Sequence, residues 1–275
     1  MNLNTIQTVQ RPCSTDQIGP WRDGNAWLAG GTWLFSEPQP ALDTLIDLES
    51  LGWPALEATA NGLMIAATCR IAQLYAFKPS AEWTASPLFH ECANAFLASW
   101  KIWNAATVGG NVCMSLPAGP MISLTAALEG VCTLWPPMGS PRQVPVVEFV
   151  TGNHTNLLQP GELLRSIHLP ASALTRRSAF RHMSLTKLGR SAALIIGTRG
   201  ATGDLLFTIT AATDRPVQLR FAREPSAAEV GDAIETEVPT ERWFQDVHGS
   251  ASYKKHITRH FAEEIRAELA QEKRA

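Results

Sequence analysis

Residues 25–34 read NAWLAGGTWL, a short apolar run that ends in two adjacent glycines and a threonine. Short apolar runs bounded by glycine are typical of buried strands. Glycine has no Cβ and tolerates positive φ, so the backbone of such a turn comes close to a ligand. This stretch therefore predicts a strand followed by a glycine turn that binds an anion through its backbone N–H groups.

A second stretch, TVGGN at residues 107–111, repeats the pattern of two glycines beside a threonine. The hydroxyls of Thr32 and Thr107 add a hydrogen-bond donor to each turn, suited to a phosphate oxygen. We expect the two glycine turns to clasp a diphosphate from both sides. Taken alone, each pair is more often an ordinary structural turn than a ligand site.

The rest of the chain alternates short strands and helices. Apolar runs predict strands at residues 45–48, 62–67, 131–135, 192–197, 205–211 and 217–221. Helical spacing and start signals predict helices after Thr68, from Ser86-Pro87, over residues 121–129, and from about Ala251 to the C-terminus. The pattern indicates an α+β protein.

No catalytic or metal-binding motif is present. Neither glycine pair is a G-x-G-x-x-G or a G-x-x-x-x-G-K-[ST], and H-E-x-x-H and G-x-S-x-G are absent. The five cysteines form no C-x-x-C pair, and the seven histidines are scattered. We therefore expect no catalytic side chain and no metal site.

Composition excludes some classes of partner. Charged residues make up 17% and the formal net charge is −2, which does not suit a nucleic-acid-binding surface. The first residues lack the basic start and apolar run of a signal peptide, and no apolar stretch is long enough to span a membrane. We expect no membrane partner and a cytoplasmic protein.

The two glycine stretches resemble the motifs A-G-G-T/H and T-[IV]-G-G-N of the FAD-binding medium subunits of the xanthine dehydrogenase and carbon monoxide dehydrogenase family. Four smaller stretches agree in the right order along the chain. They are AAT at 66–68, PGELLRSIHLP at 160–170, KLGR at 187–190 and GSASYKK at 249–255. The resemblance spans nearly the whole chain.

This resemblance implies an α+β fold with two domains. Residues 1–172 would form an FAD-binding domain of the vanillyl-alcohol-oxidase (PCMH) type, with two subdomains that hold FAD between them. Residues 173–275 would form the C-terminal domain of the medium-subunit family, with a three-stranded antiparallel sheet and helices.

The resemblance also implies an oxidoreductase subunit that passes electrons. It would take them from the [2Fe–2S] clusters of a small subunit and give them to NAD+ or another acceptor. A large molybdopterin subunit would oxidise the organic substrate. The residues implied to contact FAD are Trp27, Leu28, Ala29, Gly30, Gly31, Thr32, Trp33, Leu34, Thr107, Val108, Gly109, Gly110, Asn111, Leu164 and Lys187.

The chain departs from the family pattern at two places. Pro120 stands where the family has Asp after the second glycine motif, and Trp103 stands where it often has Arg. Losing one polar contact of this kind costs roughly 1 kcal/mol, so FAD binding would be weakened but kept. Two alternatives stay open: a stand-alone FAD oxidoreductase of the same fold, and a scaffold subunit that has lost FAD.

Two further expectations concern the flavin and the surface. Two phosphate-type glycine turns favour FAD over FMN, which needs only one. Nine tryptophans in 275 residues suggest an apolar docking surface for partner subunits, although core packing also uses tryptophan.

Overall fold

The computed structural model describes residues 3–271 and confirms the predicted α+β fold. Four sheets of five, four, three and two strands are connected by nine α-helices in this part of the chain. Among the described residues, no helix is both long enough and apolar enough to cross a membrane.

The first sheet is parallel and has the strand order β1-β3-β2. Its strands are β1 (Thr8–Gln10), β2 (Asn25–Leu28) and β3 (Thr44–Asp47). β2 is the predicted apolar run, and it delivers the chain directly into the first glycine stretch. The buried Leu45 and Ile46 of β3 give this sheet its core contacts.

The second sheet is antiparallel and has the order β4-β5-β10-β6-β7. Its strands are β4 (Leu56–Thr59), β5 (Gly62–Ala66), β6 (Val131–Trp135), β7 (Arg142–Pro145) and β10 (Leu163–Pro170). A small hairpin, β8 (Val150–Gly152) with β9 (Thr155–Asn156), lies beside it in sequence. Leu63, Ile65, Ile167 and Leu169 are fully buried and place the main core on this sheet.

Seven helices accompany these two sheets. They are α1 (Ile71–Ala76), α2 (Pro87–Ala95), α3 (Trp100–Trp103), α4 (Val108–Met114), α5 (Pro120–Ala127), α6 (Val146–Phe149) and α7 (Ala171–Leu174). α5 is buried along its whole length, which matches its almost uniformly apolar sequence. α1 begins after Arg70 rather than at the predicted Thr68.

The C-terminal part has a four-stranded antiparallel sheet in chain order, rather than the three strands implied by the resemblance. Its strands are β11 (Arg177–Ser184), β12 (Ser191–Arg199), β13 (Leu205–Thr210) and β14 (Val217–Phe221). β11 is an edge strand with a largely polar sequence and only one buried residue, so it lacks the apolar run that revealed the others.

Two helices, α8 (Ala227–Glu237) and α9 (Ala251–Ala270), accompany the C-terminal sheet. α9 packs closely on it because Gly197 has no side chain: a Cβ there would lie 2.2 Å from Ile265. The opposite face of the sheet meets α5, where the hydroxyls of Ser123 and Thr210 are 2.6 Å apart. The predicted domain boundary at residue 172 falls within α7 and stays a prediction.

Candidate functional site

A cavity of about 620 Å³ lies where the two glycine stretches meet. This volume is in the range of small-molecule and cofactor sites. Its walls come from four segments: residues 27–34, residues 95–107, residues 110–120 and the turn between β11 and β12. The lining residues are Trp27, Leu28, Ala29, Gly30, Gly31, Thr32, Trp33, Leu34, Ala95, Phe96, Leu97, Ala98, Ile102, Ala106, Thr107, Gly110, Asn111, Cys113, Met114, Leu116, Ala118, Gly119, Pro120, Leu188 and Arg190.

The first glycine stretch lines this cavity with residues whose backbone amides are not used in backbone hydrogen bonds of the described chain. No backbone carbonyl of the described residues accepts a hydrogen bond from the N–H groups of residues 30–34. The chain turns at Gly31, whose φ is +67°, and the N–H of Phe35 then closes the turn by donating to the Gly31 carbonyl at 2.8 Å. Five successive amides are thus available to an anionic ligand at the cavity wall.

The two glycines of this stretch are required by close contacts within the chain. A Cβ on Gly30 would lie 1.9 Å from the carbonyl oxygen of Ala105, so the loop packs backbone to backbone there. A Cβ on Gly31 would lie 2.6 Å from the ring of Phe35, in addition to its left-handed φ. The first glycine stretch is therefore held by packing within the chain, and its N–H groups have no backbone acceptor among the described residues.

The second glycine stretch is not the predicted glycine turn. Val108, Gly109 and Gly110 form the first turn of α4, with Thr107 as the N-cap, and neither glycine has a positive φ. All four N–H groups of residues 108–111 have acceptors within the chain. These bonds run from Val108 to the Cys69 carbonyl (2.8 Å), Gly109 to the Ala67 carbonyl (3.1 Å), Gly110 to Thr107 Oγ1 (3.0 Å) and Asn111 to the Thr107 carbonyl (3.0 Å).

The predicted anion nest at the second glycine stretch is therefore wrong, because its amide donors are already used. The second stretch instead allows close packing and forms part of the cavity wall. A Cβ on Gly109 would lie 2.5 Å from Cα and Cβ of Ala67, so this glycine lets α4 dock against the end of β5. Gly110 and Asn111 line the cavity, and the buried Thr107 keeps a hydroxyl proton to donate.

Thirteen of the predicted contact residues belong to the two glycine stretches. All of residues 27–34 line the cavity, as do Thr107, Gly110 and Asn111. Val108 and Gly109 are buried behind the wall.

The structure does not bring the other two predicted residues to the cavity wall. Leu164 is only 3% exposed and faces the main core, and Lys187 is exposed in the β11–β12 turn. Neither lies among the lining residues. A direct contact with FAD stays a prediction for both.

Sequence reasoning missed Arg190, the only charged residue that lines the cavity in the part of the chain that the structure describes. Its neighbour Leu188 is 83% exposed and also lines the cavity, whereas Lys187 of the same KLGR stretch does not. The motif was visible in the sequence, but the turn geometry decides which of its side chains reaches the cavity.

Pro120 occupies the first position of α5 and lines the cavity at the place where the family has Asp. Proline suits this position because its missing N–H would have no partner in the helix. The first turn of α5 is also fixed by Asn111, whose Oδ1 accepts the N–H of Met121 at 3.0 Å. The wall here is apolar, and the side-chain carbonyl of Asn111 serves the protein rather than the cavity.

The β8–β9 hairpin braces both glycine stretches. The His154 ring lies against Trp33, with ring centroids 5.3 Å apart, and the backbone N–H of His154 donates to the Ser115 carbonyl at 3.0 Å. Asn156 donates to the Cys113 carbonyl at 2.7 Å. Trp33 belongs to the first stretch and residues 113–115 end α4, so the hairpin fixes one relative to the other.

A smaller cleft of about 140 Å³ shares Ala29, Gly30 and Thr107 with the main cavity. The guanidinium of Arg70 forms an ion pair there with the carboxylate of Glu49. Both side chains are well exposed, so this pair contributes little to stability. The cleft extends the concave surface behind the first glycine stretch.

Cys113 has the one thiol that lines the cavity among the described residues. Burial raises its pKa to about 12, so the thiol stays protonated at neutral pH. Its environment therefore opposes a role as nucleophile.

The cavity residues fit FAD better than a small polar substrate. Five backbone donors and one guanidinium suit a diphosphate, which is the anionic part of FAD. Phe96, Leu97 and Ile102 provide an apolar wall for a flat ring system. Among the described residues, no group of three or more His, Cys, Asp or Glu side chains could hold a metal ion.

Comparison with known proteins agrees with this description. The family model for the FAD binding domain in molybdopterin dehydrogenase matches residues 16–172, more than half of the chain. No curated protein sequence matches the chain.

Solved structures share the fold over almost the entire chain. The structure of carbon monoxide dehydrogenase from Hydrogenophaga pseudoflava that lacks the Mo-pyranopterin moiety matches with a TM-score of 0.78 and 21% identity, over 94% of this chain and 96% of that chain. Quinoline 2-oxidoreductase from Pseudomonas putida 86 matches with a TM-score of 0.77 and 17% identity, over 98% and 99%. Reconstituted CO dehydrogenase from Oligotropha carboxidovorans gives 0.75 and 19%, over 94% and 96%.

At these identities the solved structures establish the fold, and the family model establishes the cofactor. The chain thus belongs to the FAD-binding domain family of molybdopterin dehydrogenases, a family of oxidoreductases, and its cofactor is FAD.

Proposed function

We propose that this chain is the flavin subunit of a molybdopterin-dependent hydroxylase and that it passes electrons rather than acting on the organic substrate. The observation that carries the proposal is the run of available N–H groups at residues 30–34, in a cavity whose other walls are almost entirely apolar. This combination suits a cofactor with a diphosphate and a flat ring.

Each wall has a distinct role in this proposal. The amides of residues 30–34 hold the diphosphate, and Arg190 adds a positive charge from the β11–β12 turn. The apolar wall at Phe96, Leu97 and Ile102 keeps water away from the ring. FAD, when bound, supplies the electron-transfer chemistry, so none of these side chains needs to act as acid, base or nucleophile.

The proposal includes two partner subunits: a small one with [2Fe–2S] clusters that donates electrons, and a large one with the molybdopterin cofactor. NAD+ or another acceptor would receive the electrons. Three solved structures with this fold are CO dehydrogenases, and one of them is a Cu,Mo enzyme, which supports a molybdenum-containing partner.

The surface around the cavity offers apolar contacts for such a partner. Leu97, Ile102 and Leu188 line the cavity and are 41%, 39% and 83% exposed, and Trp100, in the segment between Leu97 and Ile102, is 71% exposed. The other eight tryptophans are buried or half-buried, so the tryptophan count mainly reflects packing within the chain. We place the predicted docking surface at this cavity rim rather than on tryptophans in general.

Purification of the native assembly tests the proposal. We expect a yellow complex that releases FAD, not FMN, on denaturation and that contains iron–sulfur and molybdopterin subunits. A chain purified with FAD but without those partners would favour the stand-alone oxidoreductase. A colourless chain that takes up no FAD in reconstitution would contradict flavin binding and favour a scaffold subunit that has lost FAD.

A further inference from the structure

Lys254 in α9 is fully buried, although it does not line the cavity. Its ammonium nitrogen is 2.9 Å from Oδ1 of Asp246 and 3.3 Å from the carbonyl oxygen of Ala211, to which it donates. The ring of Phe244 lies below it, with the centroid 5.2 Å away. A buried ammonium is stable only when such contacts replace its hydration. The carboxylate and the carbonyl here therefore favour a cationic side chain at position 254.

The Ala211 carbonyl is an unusual partner because Ala211 has a left-handed backbone, with φ at +64°. A residue with a Cβ adopts this conformation at a cost, and it persists only where the surroundings fix it. On the carbonyl side of this turn, the Ala211 oxygen accepts the hydrogen bond from Lys254. On the amide side, Ala211 donates to the carbonyl of Pro117 at 2.8 Å.

Pro117 connects this turn to the cavity. The residues on either side of it, Leu116 and Ala118, line the cavity, and so do Gly119 and Pro120. Two hydrogen bonds therefore join the buried ammonium to the cavity wall: Lys254 to the Ala211 carbonyl, and the Ala211 amide to the Pro117 carbonyl. The link crosses from the last helix of the chain to the segment between α4 and α5.

We propose that Lys254 is a positioning residue for FAD: it holds the left-handed turn at Ala211 so that residues 116–120 keep the shape of the cavity wall. The proposal rests on FAD occupying this cavity. Ser123 and Thr210 provide a second contact between α5 and the C-terminal sheet, with their hydroxyls 2.6 Å apart, and this contact does not involve Lys254.

The test is Lys254→Met in the full-length chain, with Ile265→Ala as the matched control. Ile265 is also fully buried in α9, but it packs on Gly197 of β12 and makes no bond to the Ala211 turn. FAD dissociation constants are measured at a temperature at which both variants are folded. The exchange of the amide protons of Ala211, Leu116, Ala118 and Gly119 is followed in the same proteins without FAD.

We expect Lys254→Met to weaken FAD binding by roughly 10-fold and to speed amide exchange at Ala211 and residues 116–119, which is within the range for coupled contacts. Ile265→Ala should lose stability and leave both quantities within about 2-fold of the parent. Equal losses of FAD affinity in the two variants would overturn the proposal, and so would unchanged affinity in a folded Lys254→Met protein.

If Lys254→Met does not fold, Asp246→Asn provides the second test, because it keeps the lysine and removes its charged partner. We expect a smaller change in the same direction in both measurements, and no change in either would overturn the proposal. A parent chain that binds no FAD at all would contradict the proposed function, while the exchange measurement would still decide whether Lys254 fixes the wall.

Discussion

The two glycine stretches have nearly the same sequence pattern and opposite hydrogen-bonding states. The five amides of residues 30–34 have no backbone carbonyl acceptor among the described residues, whereas the four amides of residues 108–111 are all bonded within the chain. Both stretches reach the same cavity. Paired glycines therefore indicate that another group approaches the backbone closely. They do not distinguish a ligand from another part of the protein.

Within each pair, the first glycine packs against the protein backbone. Gly30 meets the carbonyl of Ala105, and Gly109 meets Ala67. The second glycine of each pair, Gly31 or Gly110, lines the cavity and would bring its side chain against another side chain, Phe35 or Thr107. Variants at these positions therefore separate the structural role of each stretch from its role in binding.

The largest effect is expected at Gly30. Gly30→Val would place its Cβ 1.9 Å from the Ala105 carbonyl oxygen, a backbone atom that cannot move aside cheaply. We expect the free energy of unfolding to fall by about 3 kcal/mol or more, with loss of FAD. Gly19→Ala is the control, because a Cβ there meets nothing within 4 Å. Urea denaturation measures the free energy of unfolding of both variants. Equal values would contradict a close packing contact at Gly30.

Gly110→Val tests the second stretch. The new Cβ would lie 2.8 Å from Oγ1 of Thr107 and would push side-chain atoms into the cavity. Because φ at Gly110 is not positive, backbone strain is not the main cost, and we expect a stability loss of about 1–3 kcal/mol from crowding. FAD binding should be abolished. Flavin content per folded molecule is the measurement, and full occupancy would remove Gly110 from the site.

Arg190 provides the sharpest test of charge in the cavity. Arg190→Gln removes its only charged lining residue in the described part of the chain, and we expect FAD affinity to fall by roughly 10-fold with little change in stability. Lys187→Gln, in the same turn, is the comparison variant, and we expect a smaller loss of FAD affinity there because Lys187 does not line the cavity. Isothermal titration at two salt concentrations separates them. A loss of FAD affinity in the Lys187 variant alone would make Lys187, and not Arg190, the cofactor contact.

The smallest effect is expected at Thr107. Thr107→Ala removes the hydroxyl that accepts the Gly110 N–H, which costs about 1 kcal/mol of stability as for other N-caps. FAD binding should weaken by about 1 kcal/mol or less, since one donor is lost. Thr107→Ser keeps the hydroxyl and should behave like the parent in thermal unfolding and FAD titration. If the two variants were indistinguishable, the cap would contribute nothing.

Seven of the fourteen strands in residues 3–271 were readable from the sequence. β2, β3, β5, β6, β12, β13 and β14 all coincide with predicted apolar runs, because burial of alternate or successive side chains leaves a local pattern. β11 left no such pattern, since Arg177, Arg181 and His182 interrupt it and its sheet pairing comes from β12.

α4 and the cavity geometry were not readable in this way. Two glycines in the first turn oppose a helix on propensity alone. The helix starts there because Val108 and Gly109 donate to carbonyls of Cys69 and Ala67, which are distant in sequence. The choice of Arg190 over Lys187 likewise depends on a turn whose position is set by the C-terminal sheet. Contacts between distant segments determine both features, and no local pattern encodes them.

Amide exchange with and without FAD shows which backbone N–H groups hold the diphosphate. We expect FAD to slow exchange at two or more of the amides of residues 30–34 and thereby to contradict any model in which only the second stretch binds the diphosphate. We expect no such change at residues 108–111, whose amides are already bonded in the free protein. Protection by FAD at residues 108–111 with none at residues 30–34 would contradict this expectation.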